Sequence, residues 1–537
     1  MKLHNAFLVN GQPILGTYVA SGVEELALCK EIGMNVVIGG HTELDVTTPE
    51  GAFCQQNGIK VMHHLVQHIY GKPRLADFVT PAQTEIPFVA DLMKGVAQPS
   101  DELPKGVPSS GVFQIDDETV YYGKLTATHF TECVRGYRGT KPAEHRAGAF
   151  LFFPEACAEE IRKVRTSPNL WGYYVLDDSP GDALSALRAL YRTVKEEDPG
   201  RPVCAGYGSA GSLCNFGPDV CDVMMFYWYP VAESWEPVAH GQYFRMLTPH
   251  QVQYMLMAAR EMVPGIPFVG VYQSFDAKFD PDQKNIAVPT ADQIREQIED
   301  YVREGACGLI AFLCSKKHFG FAHYPYMVEE LKAIHHEILE TGELQVRPET
   351  EEMKRTRVQP VGFWEKPLPL PGVIPAWWTA FPFEDAKGEM LEATFGPDHE
   401  FDLDAVYPGK TWPVRWTVRR TFGGSLGFGE LLGPHSYTKN CVAYAVCEVE
   451  SPKQQEVILS IGSDEDALIK LNGKEVWRFE GGRGLTRDSD RVRVTLPQGK
   501  SRIFFKVRNR QGLWGLDLRF LDGEGKPLEG LKFSPQP

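Results

Sequence analysis

A chain of 537 residues is too long for one ordinary hydrophobic core and calls for two or three domains. Its 43% hydrophobic and 23% charged content is that of a soluble globular protein, and a net charge of -15 excludes nucleic acid and anionic membrane surfaces as natural partners. Eleven cysteines without a CxxC pair or a Cys/His cluster exclude a disulfide scaffold and a zinc knuckle, so no metal and no cofactor is expected.

Pro13 to Tyr18 reads as a first strand, Glu24 to Ile32 as a helix, and Gly33 to Ile38 as a short unalternated strand of the kind a parallel sheet buries. Pro49 to Asn57 is a second helix, and Gly58 to Met62 a third strand running into His63 and His64. Three strands with two intervening helices in so short a span predict βαβ units. The rhythm breaks between about residues 71 and 148, where scattered Pro and Gly, an alternating piece and the acidic run Asp116, Asp117, Glu118 predict an insertion with its own hairpin and short helix. It sits on the rim of the barrel or forms a small module.

The rhythm resumes with a helix from Pro154 to Arg165 and a fourth strand from Trp171 to Leu176, which ends in the neighbouring carboxylates Asp177 and Asp178. Only one of the two can follow the side of the strand that faces a cavity. The C-terminal end of a barrel strand is where such an enzyme keeps its acid. The other reading is a solvated corner whose Asp residues cap the helix Asp182 to Glu197. Pro202 to Ala205, Val220 to Tyr227, Ile266 to Tyr272 and Gly308 to Leu313 are strands five to eight. Helices follow, one running to Met262 with Thr248 as its cap, one from Thr290 to Glu304, and one from Tyr324 to Leu339. Eight strands with helices between them predict a closed (β/α)8 TIM barrel over residues 1–342.

Residues 343–373 are charged and Pro-rich, as a linker would be. Over 374–537 the pattern changes to short alternating strands, among them Cys441 to Val449, Gln455 to Ile461, Ala467 to Leu471, Arg502 to Val507 and Leu513 to Phe520. Turn signals such as Asn472-Gly473 separate them, and an all-β jelly-roll sandwich is expected. The segment Met1 to Leu15 has no long apolar core, so no signal peptide is expected. Localisation is then cytoplasmic, or secreted in a trimmed form. No stretch is long and apolar enough for a membrane span, and no oligomer is indicated.

With these strands placed, the chain resembles the clan of (β/α)8 glycoside hydrolases (β-galactosidase-like and cellulase-like) that act on β-linked sugars, especially members with an appended β-sandwich. Phe7-Leu-Val-Asn-Gly-Gln-Pro-Ile-Leu-Gly16 is similar to the entry into such a barrel. In the clan the fourth strand ends in a general acid/base, usually Glu preceded by Asn, so the resemblance implies that place for Asp178. The clan's nucleophile is a Glu at the end of strand seven, where this chain has Gln273, with Asp276 three residues on. Its aromatic residue near strand six resembles the Phe226-Tyr-Trp-Tyr229 run, but its tryptophan after strand eight has no counterpart in Phe312-Leu-Cys-Ser-Lys-Lys-His318. Two runs, Ser463 to Gly473 and Gly512 to Gly515, resemble galactose-binding-like domains.

Cleaving a glycosidic bond needs a proton donor and a second carboxylate, whose separation decides retention or inversion. Asp178 is the expected donor, with Asp177 as the neighbouring charge that raises its pKa. Asp276 is the expected second group, and Asp116, Asp117 and Glu118 are alternatives. His41, His63 and His64 follow strands two and three and are candidates for sugar hydroxyls; His64 and His68 are four apart, but no HExxH frame supports a metal. Tyr227 and Tyr229 fall on one side of strand six as an aromatic platform, with Gln273 as a further ligand contact. Lys316, Lys317 and His318 are candidates for a carboxylate on an acidic sugar. The expected activity is glycosidic bond cleavage in an oligosaccharide or glycoconjugate. The competing reading is a carbohydrate-binding protein on a barrel that has lost hydrolysis, which Gln273 favours.

Overall fold

The structure is a computed structural model. It describes all residues except 19, 21, 70–71, 90–106, 178–182, 209–214, 230, 232–255, 257–258, 261–262, 264, 277–286, 318, 350–370, 411–412, 422–423, 429–438, 486–487, 511–513 and 537, and only the backbone of 228, 390 and 420. The expected Thr248 cap lies outside the described residues.

Eight strands form the barrel: β1 (Gln12–Tyr18), β2 (Val36–Gly39), β3 (Lys60–His64), β4 (Leu170–Asp177), β5 (Val203–Tyr207), β6 (Val223–Trp228), β7 (Phe268–Gln273) and β8 (Gly308–Phe312). Each pairs in parallel with the next, and β8 pairs with β1, so the sheet closes. Six helices of two turns or more with described bounds pack outside: α1 (Gly22–Ile32), α2 (Pro49–Asn57), α3 (Pro154–Val164), α4 (Leu184–Glu197), α5 (Ala291–Arg303) and α6 (Pro325–Thr341). Both strand faces are apolar, which is why the sequence shows no polar alternation in them. Ile14, Val36, Met62, Cys204, Met225, Val271 and Ile310 fill the interior. Their neighbours Leu15, Val37, Val61, Ala205, Met224, Tyr272 and Leu309 join the core under the helices.

Local signals explain the element ends. Thr48 accepts from Gly51 N–H to start α2, and Gly58 ends it with φ 70 in the left-handed region. Thr290 and Gln293 form a reciprocal capping box on α5, as the sequence predicts for Thr290. Leu187, Leu190 and Val194 on α4 are fully buried, each stabilising the packing by about 1.5–3 kcal/mol.

The insertion after β3 carries a four-stranded antiparallel sheet (Arg74–Leu75, Ile86–Val89, Lys124–Leu125, His129–Thr131) and a hairpin (Gly111–Ile115 with Glu118–Tyr122). It has its own core around Phe88, Phe113, Tyr122 and Phe130. Among the described residues of the insertion, the helical structure is one 3-10 turn, Tyr137–Gly139; residues 90–106 lie outside the description. The start of the linker lies on the barrel: Leu344 is buried and exchanges backbone hydrogen bonds with Met1, and Arg347 pairs with Glu299 on α5.

The C-terminal part is a sandwich of two antiparallel sheets. One holds Thr417–Arg420, Ala376–Glu384, Cys441–Ser451, Gly499–Asn509, Ala467–Leu471, Lys474–Phe479 and Lys532–Ser534; the other holds Ser425–Gly427, Gly515–Leu521, Gln455–Ser463 and Asp490–Leu496. Their inner faces share one core, with Trp377 and Trp514 among the largest buried side chains.

Candidate functional site

The C-terminal ends of the barrel strands make a mouth lined by rings. Tyr18 comes from β1, His64 from β3, Tyr174 from β4, Tyr227 and Tyr229 from the end of β6, Phe275 from just after β7, and Phe312 from β8. The Tyr227 and Tyr229 rings stack at 5.8 Å, and Tyr229 meets Phe275 at 5.1 Å and Phe312 at 5.4 Å. Tyr18 meets Phe312 at 5.0 Å and Tyr174 at 5.6 Å, and His64 stands edge-on to Tyr174 at 5.2 Å. His64, Tyr229 and Phe312 are half-buried, whereas Tyr18, Tyr174, Tyr227 and Phe275 are buried.

One carboxylate is tied to this belt. The register of β4 against β5 shifts between Tyr174 and Leu176, and Val175 and Leu176 both join the outer core. That irregularity turns Tyr174 inward and Asp177 toward it. Tyr18 Oη donates to Tyr174 Oη at 2.7 Å, and Tyr174 Oη donates to Asp177 Oδ1 at 3.0 Å. Asp177 is itself exposed at the strand end, yet desolvation by the surrounding protein raises its pKa and outweighs the Tyr174 hydrogen bond that lowers it. Burial, helped by the positive field of His63, pushes His64 down to about 4, so its ring is neutral at pH 7. The rings are seated on bare backbone: a Cβ on Gly206 would lie 2.5 Å from Tyr174 Oη, and one on Gly208 would lie 1.9 Å from the Tyr227 ring. Asp178 and His318 lie outside the described residues.

The end of β7 is occupied differently. Gln273 is fully buried, and its carboxamide is consumed by backbone: Oε1 accepts from Val231 N–H at 2.9 Å, while Nε2 donates to Val231 O at 3.2 Å and to Ala287 O at 2.9 Å. It is a staple holding chain on either side of the mouth. Asp276 receives the Tyr324 hydroxyl on Oδ2 at 2.5 Å, and its own N–H donates to Phe319 O. Tyr324 packs against the core outside the barrel, so Asp276 is bound on that side while its neighbour Phe275 joins the belt.

The other candidates divide by strand face. His63, one residue from His64, lies on the outer face of β3 with its Nε2 2.9 Å from Glu160 Oε1 on α3. His41 begins a single helical turn after β2 and reaches the same oxygen at 2.7 Å. Among the described residues, these three side chains are the group able to hold a metal ion. Lys316 and Lys317 are exposed, and the Lys316 N–H donates to Glu25 on α1. In the insertion, Glu118 is buried and accepts from Arg135, His145, Gly136 N–H and Ala143 N–H. Desolvation alone would raise its pKa, but those donors prevail and hold it at about 2. Asp116 is half-exposed and takes the other nitrogen of His145.

Sequence reasoning missed Tyr18, Tyr174, Phe275 and Phe312. The signal was present for Tyr18, which keeps the alternation of the interior residue Ile14, but not for Tyr174, which shares the interior with Trp171 only because the register of β4 shifts.

No family model matches the chain, and no curated protein matches it. Among solved structures, a GH2 β-galacturonidase from Eisenbergiella tayi bound to galacturonate aligns at 13% identity over 63% of this chain and 53% of that one, with a TM-score of 0.33. A β-glucuronidase from Bacteroides uniformis aligns at 12% identity over 97% of this chain and 67% of that one, again with a TM-score of 0.33. The PA14 domain of the antifreeze protein MpAFP aligns at 13% identity over 16% of this chain, with a TM-score of 0.15. The chain spans about half the length of the first two of these kinds of match, 47% of the PA14 chain and 53% of the β-galacturonidase. Likenesses this low bear on neither activity nor substrate.

Proposed function

We propose that the protein is a glycosidase-like enzyme that cleaves a glycosidic bond in an oligosaccharide or glycoconjugate, with Asp177 as proton donor. The observation that carries this reading is the Asp177 carboxyl at the exposed end of β4, with one oxygen held by the Tyr18–Tyr174 hydroxyl chain and its pKa raised by desolvation from the surrounding protein. A carboxyl that keeps its proton longer than usual is what protonation of a leaving oxygen requires. The ring belt supplies flat apolar surface against which a sugar face stacks, and neutral His64 supplies a polar group for a hydroxyl. The bond from the anomeric carbon to the leaving oxygen breaks as that oxygen takes the proton of Asp177. Water adds to the carbon, and its proton passes to a second carboxylate; Asp276 is held by Tyr324 outside the barrel, which leaves Asp178 as the candidate.

A second reading, a sugar-binding barrel without hydrolysis, is favoured by Gln273, which fills the end of β7 with an uncharged staple. A panel of aryl glycosides compared across wild type, Asp177→Asn and Asp178→Asn separates the two. Loss of about 10²-fold or more in kcat with Asp177→Asn supports the assignment. Full activity in that variant overturns it, and a wild type that binds sugars without turning over any glycoside leaves the binding reading.

A further inference from the structure

We infer that His41, His63 and Glu160 form a binding site for a divalent first-row transition metal of the Zn2+ type, outside the barrel mouth. Three separate elements deliver the donors: the turn after β2, the outer face of β3, and the middle of α3. The two Nε2 atoms converge on a single oxygen, Glu160 Oε1, at 2.7 and 2.9 Å, and the three donor atoms lie within 4.8 Å of one another. Two imidazole nitrogens and one carboxylate oxygen are a donor set that suits Zn2+, with water completing the sphere. Room for that water lies on the side of His41, whose side chain is 61% exposed, whereas Glu160 is 15% exposed and His63 is 2% exposed.

A second observation comes from the His63 ring itself. Its Nδ1 is buried with no hydrogen-bond partner, so nothing on the far side of the ring fixes the tautomer. With the tautomer unfixed, the ring proton can reside on Nδ1, leaving the Nε2 lone pair for a cation. The partnerless Nδ1–H that results lowers the affinity, because ligating histidines ordinarily have a second partner for that group. A micromolar site is therefore expected, weaker than a structural zinc finger. His64, the next residue, is on the inner face of β3, so the ion would pin α3 to the strand that carries a ring of the mouth without entering the mouth.

The test uses the full chain stripped with a chelator and titrated with CoCl2 as a spectroscopic probe, followed by competition with ZnCl2. One equivalent of Co2+ is expected, with visible ligand-field bands of four- or five-coordinate N/O ligation, displaced by one equivalent of Zn2+. His41→Ala removes an exposed ligand and should weaken Zn2+ binding at least tenfold with an unchanged circular dichroism spectrum. Glu160→Gln provides a second variant with the same expected loss. No bound Co2+ or Zn2+ in the wild type overturns the inference and leaves an ion-pair cluster only; so does a His41→Ala or Glu160→Gln protein that binds either ion as tightly as the wild type.

Discussion

Asp177 at the exposed end of β4 and Glu118 buried in the insertion are carboxylates shifted in opposite directions by their surroundings. Glu118 has a full set of donors, two from Arg135, one from His145 and two backbone N–H groups, and its acidity settles at about 2. Such a group is permanently ionised and has nothing to give. At Asp177 desolvation outweighs the hydrogen bond from the Tyr174 hydroxyl, and its pKa rises. The difference is between a charge used to knit a module together and a proton kept available beside an aromatic surface.

Removing the charge from Glu118 should have the largest effect on stability. Glu118→Gln leaves the Arg135 guanidinium and His145 facing a neutral carboxamide inside the insertion, and breaking a buried pair this way destabilises by about 3–5 kcal/mol. Hydrogen exchange of the hairpin Gly111–Ile115 and Glu118–Tyr122 should accelerate while β4 to β8 keep their protection. Because its folded-state pKa is depressed, the contribution of Glu118 is present above about 4.5 and disappears as pH falls toward about 2. The variant and wild type should therefore converge in the acid limb of a pH titration. Unchanged exchange at pH 7 would remove the contrast with Asp177.

At the end of β7 the same logic predicts that a charge is unwelcome. Gln273→Glu would set a carboxylate against the carbonyls of Val231 and Ala287, which now accept from Nε2. A loss of about 3 kcal/mol is expected from the repelled and unsatisfied groups, read as a lower midpoint in thermal unfolding. A stable Gln273→Glu protein that gains glycosidase activity would mean that the staple is dispensable and that a second carboxylate can be placed at the end of β7. A smaller effect is expected at Gly206, where an added methyl meets the Tyr174 hydroxyl at 2.5 Å. Gly206→Ala should destabilise by about 1–3 kcal/mol through overpacking and lower kcat by displacing the hydroxyl that holds Asp177.

The barrel was legible because its strands are short apolar runs separated by amphipathic helices, and because Thr290 and Gly58 punctuate their helices in the ordinary way. What alternation could not tell was that Asp177 turns toward Tyr174. That depends on an irregularity between Tyr174 and Leu176 that shifts the facing of everything after it. Similarly, His63 and His64 read as one group in the chain, yet β3 sends one to α3 and the other to the mouth. Glu160 stands 97 residues from His63, and no local pattern links them. Gln273 was readable as uncharged, but its bonds to Val231 and Ala287 arise only when distant segments close over the strand end.

The smallest expected effect is also the one with an unusual sign. A folded-state pKa raised above that of the unfolded chain means that ionised Asp177 disfavours folding; its contribution to stability is complete below the unfolded value near 3.8 and is lost as pH rises through the folded value. Asp177→Asn keeps the shape and can still accept from Tyr174, while removing that charge. The variant should unfold at a slightly higher temperature than wild type at pH 7, and the gain should vanish as pH is lowered below 4. Glu118→Gln predicts the opposite sign at pH 7, so the two variants measured side by side in calorimetry test the contrast directly. A lower unfolding temperature for Asp177→Asn at pH 7 would mean that its carboxylate is held by attraction, as Glu118 is, and would take the proton-donor role away from it. A gain confined to neutral pH, accompanied by lost turnover, is the pattern of a site that gives up stability to keep a reactive acid.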